Sequence, residues 1–76
     1  MKINFSTLVR TNLGFPSEWV GKTEDDKEVK ISYRRGETKI YVQDILYTTL
    51  SLDQFDLGGY MEDTTLMQLL KDNNLL

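Results

Sequence analysis

The clearest pattern in the chain is an alternation of apolar and polar side chains over residues 28–42. It runs on both sides of a turn marked by Gly36, a residue that can adopt positive φ. Alternation with period two is typical of half-buried strands. The inward positions would be Val29, Ile31, Tyr33, Ile40 and Val42. A further strand over residues 18–23 precedes the polar cluster at residues 24–27, so we predict an antiparallel meander.

Residues 45–52 are rich in β-branched and aromatic side chains, which favours a fourth strand. Leu46, Thr49 and Leu50 also have the spacing of one helical turn, so a short helix stays open as the alternative.

After a loop predicted over residues 53–59, Asp63 is a candidate N-cap for a helix. The apolar stripe of this helix is Leu66, Met67, Leu69 and Leu70. A stripe with this spacing indicates an amphipathic helix, which we expect to cover one face of the sheet.

The N-terminal segment supports two interpretations. Ser6 as N-cap and the stop signal at Pro16 predict a short helix over Thr7–Leu13. Ile3 and Phe5, which alternate with polar residues, favour a strand instead, and the two elements could follow one another. The predicted fold class is therefore α+β: a meander of three or four antiparallel strands, a C-terminal helix packed on one face and a short N-terminal helix, in a single domain spanning residues 1–76.

The chain is near the lower size limit for unassisted folding, with 76 residues of which 39 % are hydrophobic and 28 % charged. Such small cores supply only about 3 to 5 kcal/mol of stability. Small domains often add disulfides, a metal or self-association, and this sequence has no cysteine. A homo-oligomer is therefore one expectation.

The sequence also lacks histidine, which is the commonest general base and the commonest transition-metal ligand. Because cysteine is absent as well, there is no thiolate nucleophile. Residues 21–23 match the end of a phosphate-binding P-loop, but Pro16 occupies the position of its first glycine. A calcium loop starting at Asp53 has Phe55 and Leu57 where oxygen ligands are needed. We expect no enzymatic activity, no cofactor and no metal.

Charge is distributed unevenly along the chain. Residues 1–43 carry eight basic and six acidic side chains, a net charge of +2, whereas residues 44–76 carry one basic and six acidic side chains, a net charge of −5. The N-terminus has no signal-peptide pattern and no apolar run reaches the length of about 18 residues that spans a bilayer. We expect a cytoplasmic protein without a membrane partner.

Two surfaces are candidates for binding. A basic and aromatic set would share the outer face of the predicted sheet: Lys30, Arg34, Lys39 and Tyr41. An acidic set would lie near the start of the C-terminal helix: Asp53, Asp56, Glu62 and Asp63. Solvated sheet faces and helix N-termini also favour these residue types for structural reasons.

The expected function is that of a small, non-enzymatic interaction module that binds a protein partner. One alternative is an acidic inhibitor that occludes a basic nucleic-acid-binding protein, of the kind found among phage and mobile-element accessory proteins. The other is nucleic-acid binding through the basic and aromatic sheet face, where lysines neutralise phosphates and tyrosine stacks on bases.

Overall fold

A computed structural model describes residues 3–12, 17–34, 36–51 and 61–76 of the chain. The described residues form one antiparallel sheet with strands in the order of the sequence, followed by a helix. The strands are β1 (Phe5–Asn12), β2 (Ser17–Thr23), β3 (Glu28–Arg34), β4 (Glu37–Val42) and β5 (Ile45–Ser51), and the helix is α1 (Asp63–Asp72). The predicted α+β class and the meander order are confirmed.

The three central strands follow the predicted alternation. Trp19, Ile31 and Ile40 are paired across β2, β3 and β4, and all three are buried on the face that the helix covers. Gly36 has φ of 81°, as expected for the tight turn between β3 and β4. The single tryptophan is therefore part of the core.

The predicted N-terminal helix is wrong for the residues the structure describes, because residues 7–12 belong to strand β1. The strand interpretation through Phe5 was the better one, and β1 raises the number of strands to five. β-Branched side chains at Thr7, Val9 and Thr11 suit a strand better than a helix. The candidate cap Ser6 instead donates its hydroxyl to the carbonyl oxygens of residues 22 and 23 on β2.

The predicted fourth strand is confirmed as β5, which pairs with β4. Its register shifts by one residue, because Ile40 pairs with Thr48 while the next residue, Tyr41, pairs with Leu46. Tyr47 is the extra residue of this β-bulge. The predicted loop over residues 53–59 lies outside the described residues.

Helix α1 buries Leu66, Leu69 and Leu70 against the sheet, and these leucines belong to one core cluster with Val29 and Ile31. Two details of the prediction are wrong. The N-cap residue is Glu62, which makes no side-chain cap hydrogen bond, and Asp63 is the first helical residue. Met67 lies on the exposed side of the helix rather than in the apolar stripe.

The helix ends at Asp72, and Asn73 is its C-cap residue. Asn74 adopts φ of 60°, a left-handed conformation that asparagine tolerates after a helix C-terminus. Leu75 is buried, and its carbonyl oxygen accepts a hydrogen bond of 2.6 Å from the backbone N–H of Ile3. The two ends of the described chain are therefore joined beside the core.

Candidate binding surface

The outer face of the sheet, opposite α1, carries a row of residues in register across all five strands. The pairs Val9–Val20, Val20–Lys30, Lys30–Tyr41 and Tyr41–Leu46 connect β1 to β5 without a gap. We call Val9, Val20, Lys30, Tyr41 and Leu46 the outer-face row. Val9 is 62 % exposed and Leu46 is 50 % exposed, so the row presents apolar surface to solvent at both edges of the sheet.

The four basic and aromatic residues singled out in the sequence all lie on this face. Lys30 and Tyr41 are paired with each other in the outer-face row. Lys39 lies opposite Ser32 on one side and Thr49 on the other. Arg34 lies opposite Glu37, two residues before Lys39 on β4.

Acidic residues are interleaved with the basic ones on the outer face. The strand residues with charged side chains here are Lys22, Lys30, Arg34 and Lys39 against Glu18, Glu28 and Glu37, a net charge of +1. The ammonium group of Lys30 lies 3.9 Å from a carboxylate oxygen of Glu18. The face is therefore amphipathic and close to electrically balanced, rather than strongly basic.

The structure describes two of the four acidic candidates, Glu62 and Asp63. Asp53 and Asp56 lie outside the described residues, and Glu62 is exposed at the start of α1. Asp63 accepts hydrogen bonds on Oδ1 from Trp19 Nε1 at 2.9 Å and from Arg10 Nε at 3.0 Å. These two hydrogen bonds hold the pKa of the Asp63 carboxyl below its ordinary value of 3.8, and the bond from Trp19 has the larger effect.

Arg10 is the charged residue that sequence reasoning missed. Its side chain is only 11 % exposed, because β1 directs it inward beside Trp19. The guanidinium carbon lies 4.5 Å from the centre of the indole ring, a cation–π contact. One guanidinium nitrogen also donates to the carbonyl oxygen of Met61, whose N–H donates to the buried hydroxyl of Ser17 at 2.9 Å.

These contacts hold the start of the helix against β1 and β2. We call Arg10, Ser17, Trp19, Met61 and Asp63 the helix-anchoring network. The network accounts for Asp63 as a structural residue, although its side chain is 67 % exposed. No local sequence pattern predicts the helix-anchoring network, because its hydrogen bonds join residues more than 40 positions apart.

An open cavity of about 640 Å³ lies at the end of the sheet where β2 turns into β3. Its apolar wall is formed by Ile3, Val42 and Tyr47, and its polar rim by Asn4, Thr23, Glu24, Asp25 and Lys27. The hydrogen bond from the Thr23 hydroxyl is the main reason why the pKa of Asp25 lies below 3.8, and the Lys27 ammonium lowers it further.

The described residues contain no group of three or more acidic, histidine or cysteine side chains placed to hold a metal ion. Within the same part of the chain, no helix is both long and apolar enough to cross a membrane. No family model matches the sequence, and neither a curated protein nor a solved structure matches it.

Val9, Val20 and Leu46 were missed as surface residues by sequence reasoning. The sequence does contain a signal that Val20 faces outward. Trp19 and Gly21 on either side of it point inward, and alternation along a strand then directs Val20 to the other face. Val9 had no such signal, because the expected N-terminal helix has no alternation between two sheet faces. Leu46 changes face only because of the bulge at Tyr47.

Proposed function

We propose that this chain is a small interaction module that binds a protein partner through the outer face of its sheet. The observation that carries the proposal is the outer-face row, in which Val9 is 62 % exposed and Leu46 is 50 % exposed. Exposed apolar surface bordered by polar groups is typical of protein–protein interaction sites. Tyr41 at the centre belongs to a residue type that is enriched in binding hot spots.

The charge pattern supports a protein rather than a nucleic acid as the partner. Nucleic-acid-binding faces concentrate lysine and arginine, whereas three glutamates are interleaved with four basic residues here. Glu18 also pairs with Lys30, which reduces the charge that Lys30 offers to a phosphate. A protein surface with mixed charges and apolar groups complements this face better.

The experiment is affinity capture with the immobilised chain from nuclease-treated lysate of its source cells, followed by calorimetry with the purified partner. Val9→Asp and Leu46→Asp each place a charge in the outer-face row and should weaken binding at least about tenfold. Met67→Asp is the matched control, because Met67 is an exposed apolar residue on the helix. Equal affinity of all three variants for the partner would contradict the proposal.

A second candidate is supported by the grouping of Lys30, Lys39 and Tyr41 on one face. Binding of single-stranded DNA or RNA should then weaken steeply with salt and should be lost in the Lys30→Glu, Lys39→Glu double variant. Fluorescence anisotropy at low salt distinguishes the two functions, since a protein-binding face should give no such signal.

A further inference from the structure

Strand β5 is an edge strand without charge. Among the described strands it pairs only with β4, and its seven residues include no charged side chain and no proline. Edge strands usually carry lysine, proline or inward-pointing charges that block pairing with another chain. β1, the other edge, has two register shifts and the charged residue Arg10.

The backbone of β5 is suited to pairing over its second half. Thr48, Thr49, Leu50 and Ser51 pair with β4 in uninterrupted register, so the opposite edge of this run presents regularly spaced N–H and C=O groups. Ile45 is 72 % exposed at the start of the strand, and its pairing with Val42 places it on the sheet face opposite to that of Leu46. An extended peptide segment could add to this edge as a sixth strand.

From these features we infer that β5 binds an extended segment of another protein, and that an acidic side chain of this segment contacts Lys39. The inference rests on the proposed function and names the class of partner. Lys39 takes part in none of the ion pairs formed among the described residues. Glu37, the nearest acid on its strand, lies opposite Arg34.

The distances allow this contact. An added strand would lie about 9.6 Å from β4, twice the usual strand spacing. Thr49, the residue of β5 between Lys39 and that strand, is small. The side chains of lysine and glutamate together can span this gap, and they would do so on the outer face.

The inferred acidic contact also distinguishes another protein from a second copy of this chain. β5 has no acidic residue and the only charge on β1 is Arg10, so neither edge strand of a second copy supplies a carboxylate for Lys39. Asp44 precedes β5 but lies in a left-handed turn outside the strand. The edge strands of a second copy therefore do not supply the acidic side chain that we infer opposite Lys39.

The test uses the full chain labelled with ¹⁵N and a capped nine-residue peptide that alternates threonine and valine, with glutamate replacing the central threonine. We expect amide shifts concentrated in residues 45–51 and a dissociation constant below about 1 mM. The matched peptide with lysine at the centre should bind about three- to fivefold more weakly.

Two further experiments test whether the contact is specific. Lys39→Glu should reverse the preference between the two peptides, whereas Lys22→Glu, an equal charge change on β2, should leave it unchanged. Only one edge of the peptide pairs with β5, so binding needs only every second N–H group of the peptide. Methylating those nitrogens should abolish binding, and methylating the nitrogens of the intervening residues should preserve it.

The inference is overturned if the β5 amides do not shift, or if both methylated peptides bind equally. It is also overturned if ultracentrifugation finds a dimer of the wild-type chain that Thr49→Lys dissociates, since the occupant would then be a second copy. Loss of partner binding in Val9→Asp without any peptide effect on β5 would leave the proposed function standing and remove only this inference.

Discussion

The indole nitrogen of Trp19 donates a hydrogen bond of 2.9 Å to the carboxylate of Asp63, across 44 positions in the sequence. This contact joins the middle of the sheet to the first residue of helix α1. The same carboxylate oxygen accepts from Arg10, whose guanidinium lies over the indole ring. Asp63 therefore connects the start of the helix to both β1 and β2.

Asp63→Asn should lower the free energy of unfolding by about 1 kcal/mol. The variant keeps an oxygen acceptor but loses the charge that strengthens both hydrogen bonds, and the exposure of Asp63 limits the effect. Urea denaturation measures the change. Glu62→Gln is the matched control, because Glu62 also carries a charge at the helix N-terminus but makes no cap hydrogen bond. Equal destabilisation by the two variants would show that the charge of Asp63 contributes nothing beyond its interaction with the helix dipole.

Stability should decrease at acidic pH. The pKa values of Asp63 and Asp25 are lowered in the folded chain, so protons bind more readily to the unfolded chain. The stabilisation from each carboxylate is present above the unfolded pKa, near 3.8, and is lost as pH falls through the folded pKa. Urea titrations at several pH values should show the difference between wild type and Asp63→Asn shrinking over this range. A difference independent of pH would contradict the assignment.

The sequence predicted the centre of the sheet well, because the inward residues of β3 and β4 alternate without interruption between polar ones. It failed at β1, where residues 7–12 have a local pattern compatible with both helix and strand. Pairing with β2 and the inward contacts of Arg10 decide between them, and both depend on residues distant in sequence. The candidate binding surface was likewise predicted only in part. Its basic residues follow from alternation, but Val9 joins the row only through the β1–β2 register.

Gly21→Ala should destabilise the chain by about 1 to 3 kcal/mol. A β-carbon at this position would collide with the backbone carbonyl oxygen of Thr7 and lie 3.1 Å from the Cα atom of Leu8. Backbone atoms cannot move aside as a flexible side chain can, so β1 would separate from β2. We expect a fall in Tm of about 4 to 20 °C, measured by circular dichroism.

Lys22→Ala is the control for this substitution, since it changes the neighbouring residue of the same strand at an exposed position. Its Tm should remain close to that of the wild type. A Gly21→Ala variant as stable as Lys22→Ala would mean that β1 does not approach β2 as closely as described.

Thr38→Val should stabilise the chain by about 1 to 2 kcal/mol. Thr38 is fully buried, and among the described residues its hydroxyl has no hydrogen-bond partner. Burying an unpaired hydroxyl costs free energy, and valine has nearly the same shape without the polar atom. Thermal or urea denaturation measures the gain.

Thr49→Val, an exposed position on the neighbouring strand, should change stability by no more than about 0.5 kcal/mol. Thr38→Ser keeps the hydroxyl and removes the methyl group, so it should destabilise the core. If Thr38→Val were instead destabilising, the hydroxyl would have a partner in the folded chain and the argument would fail.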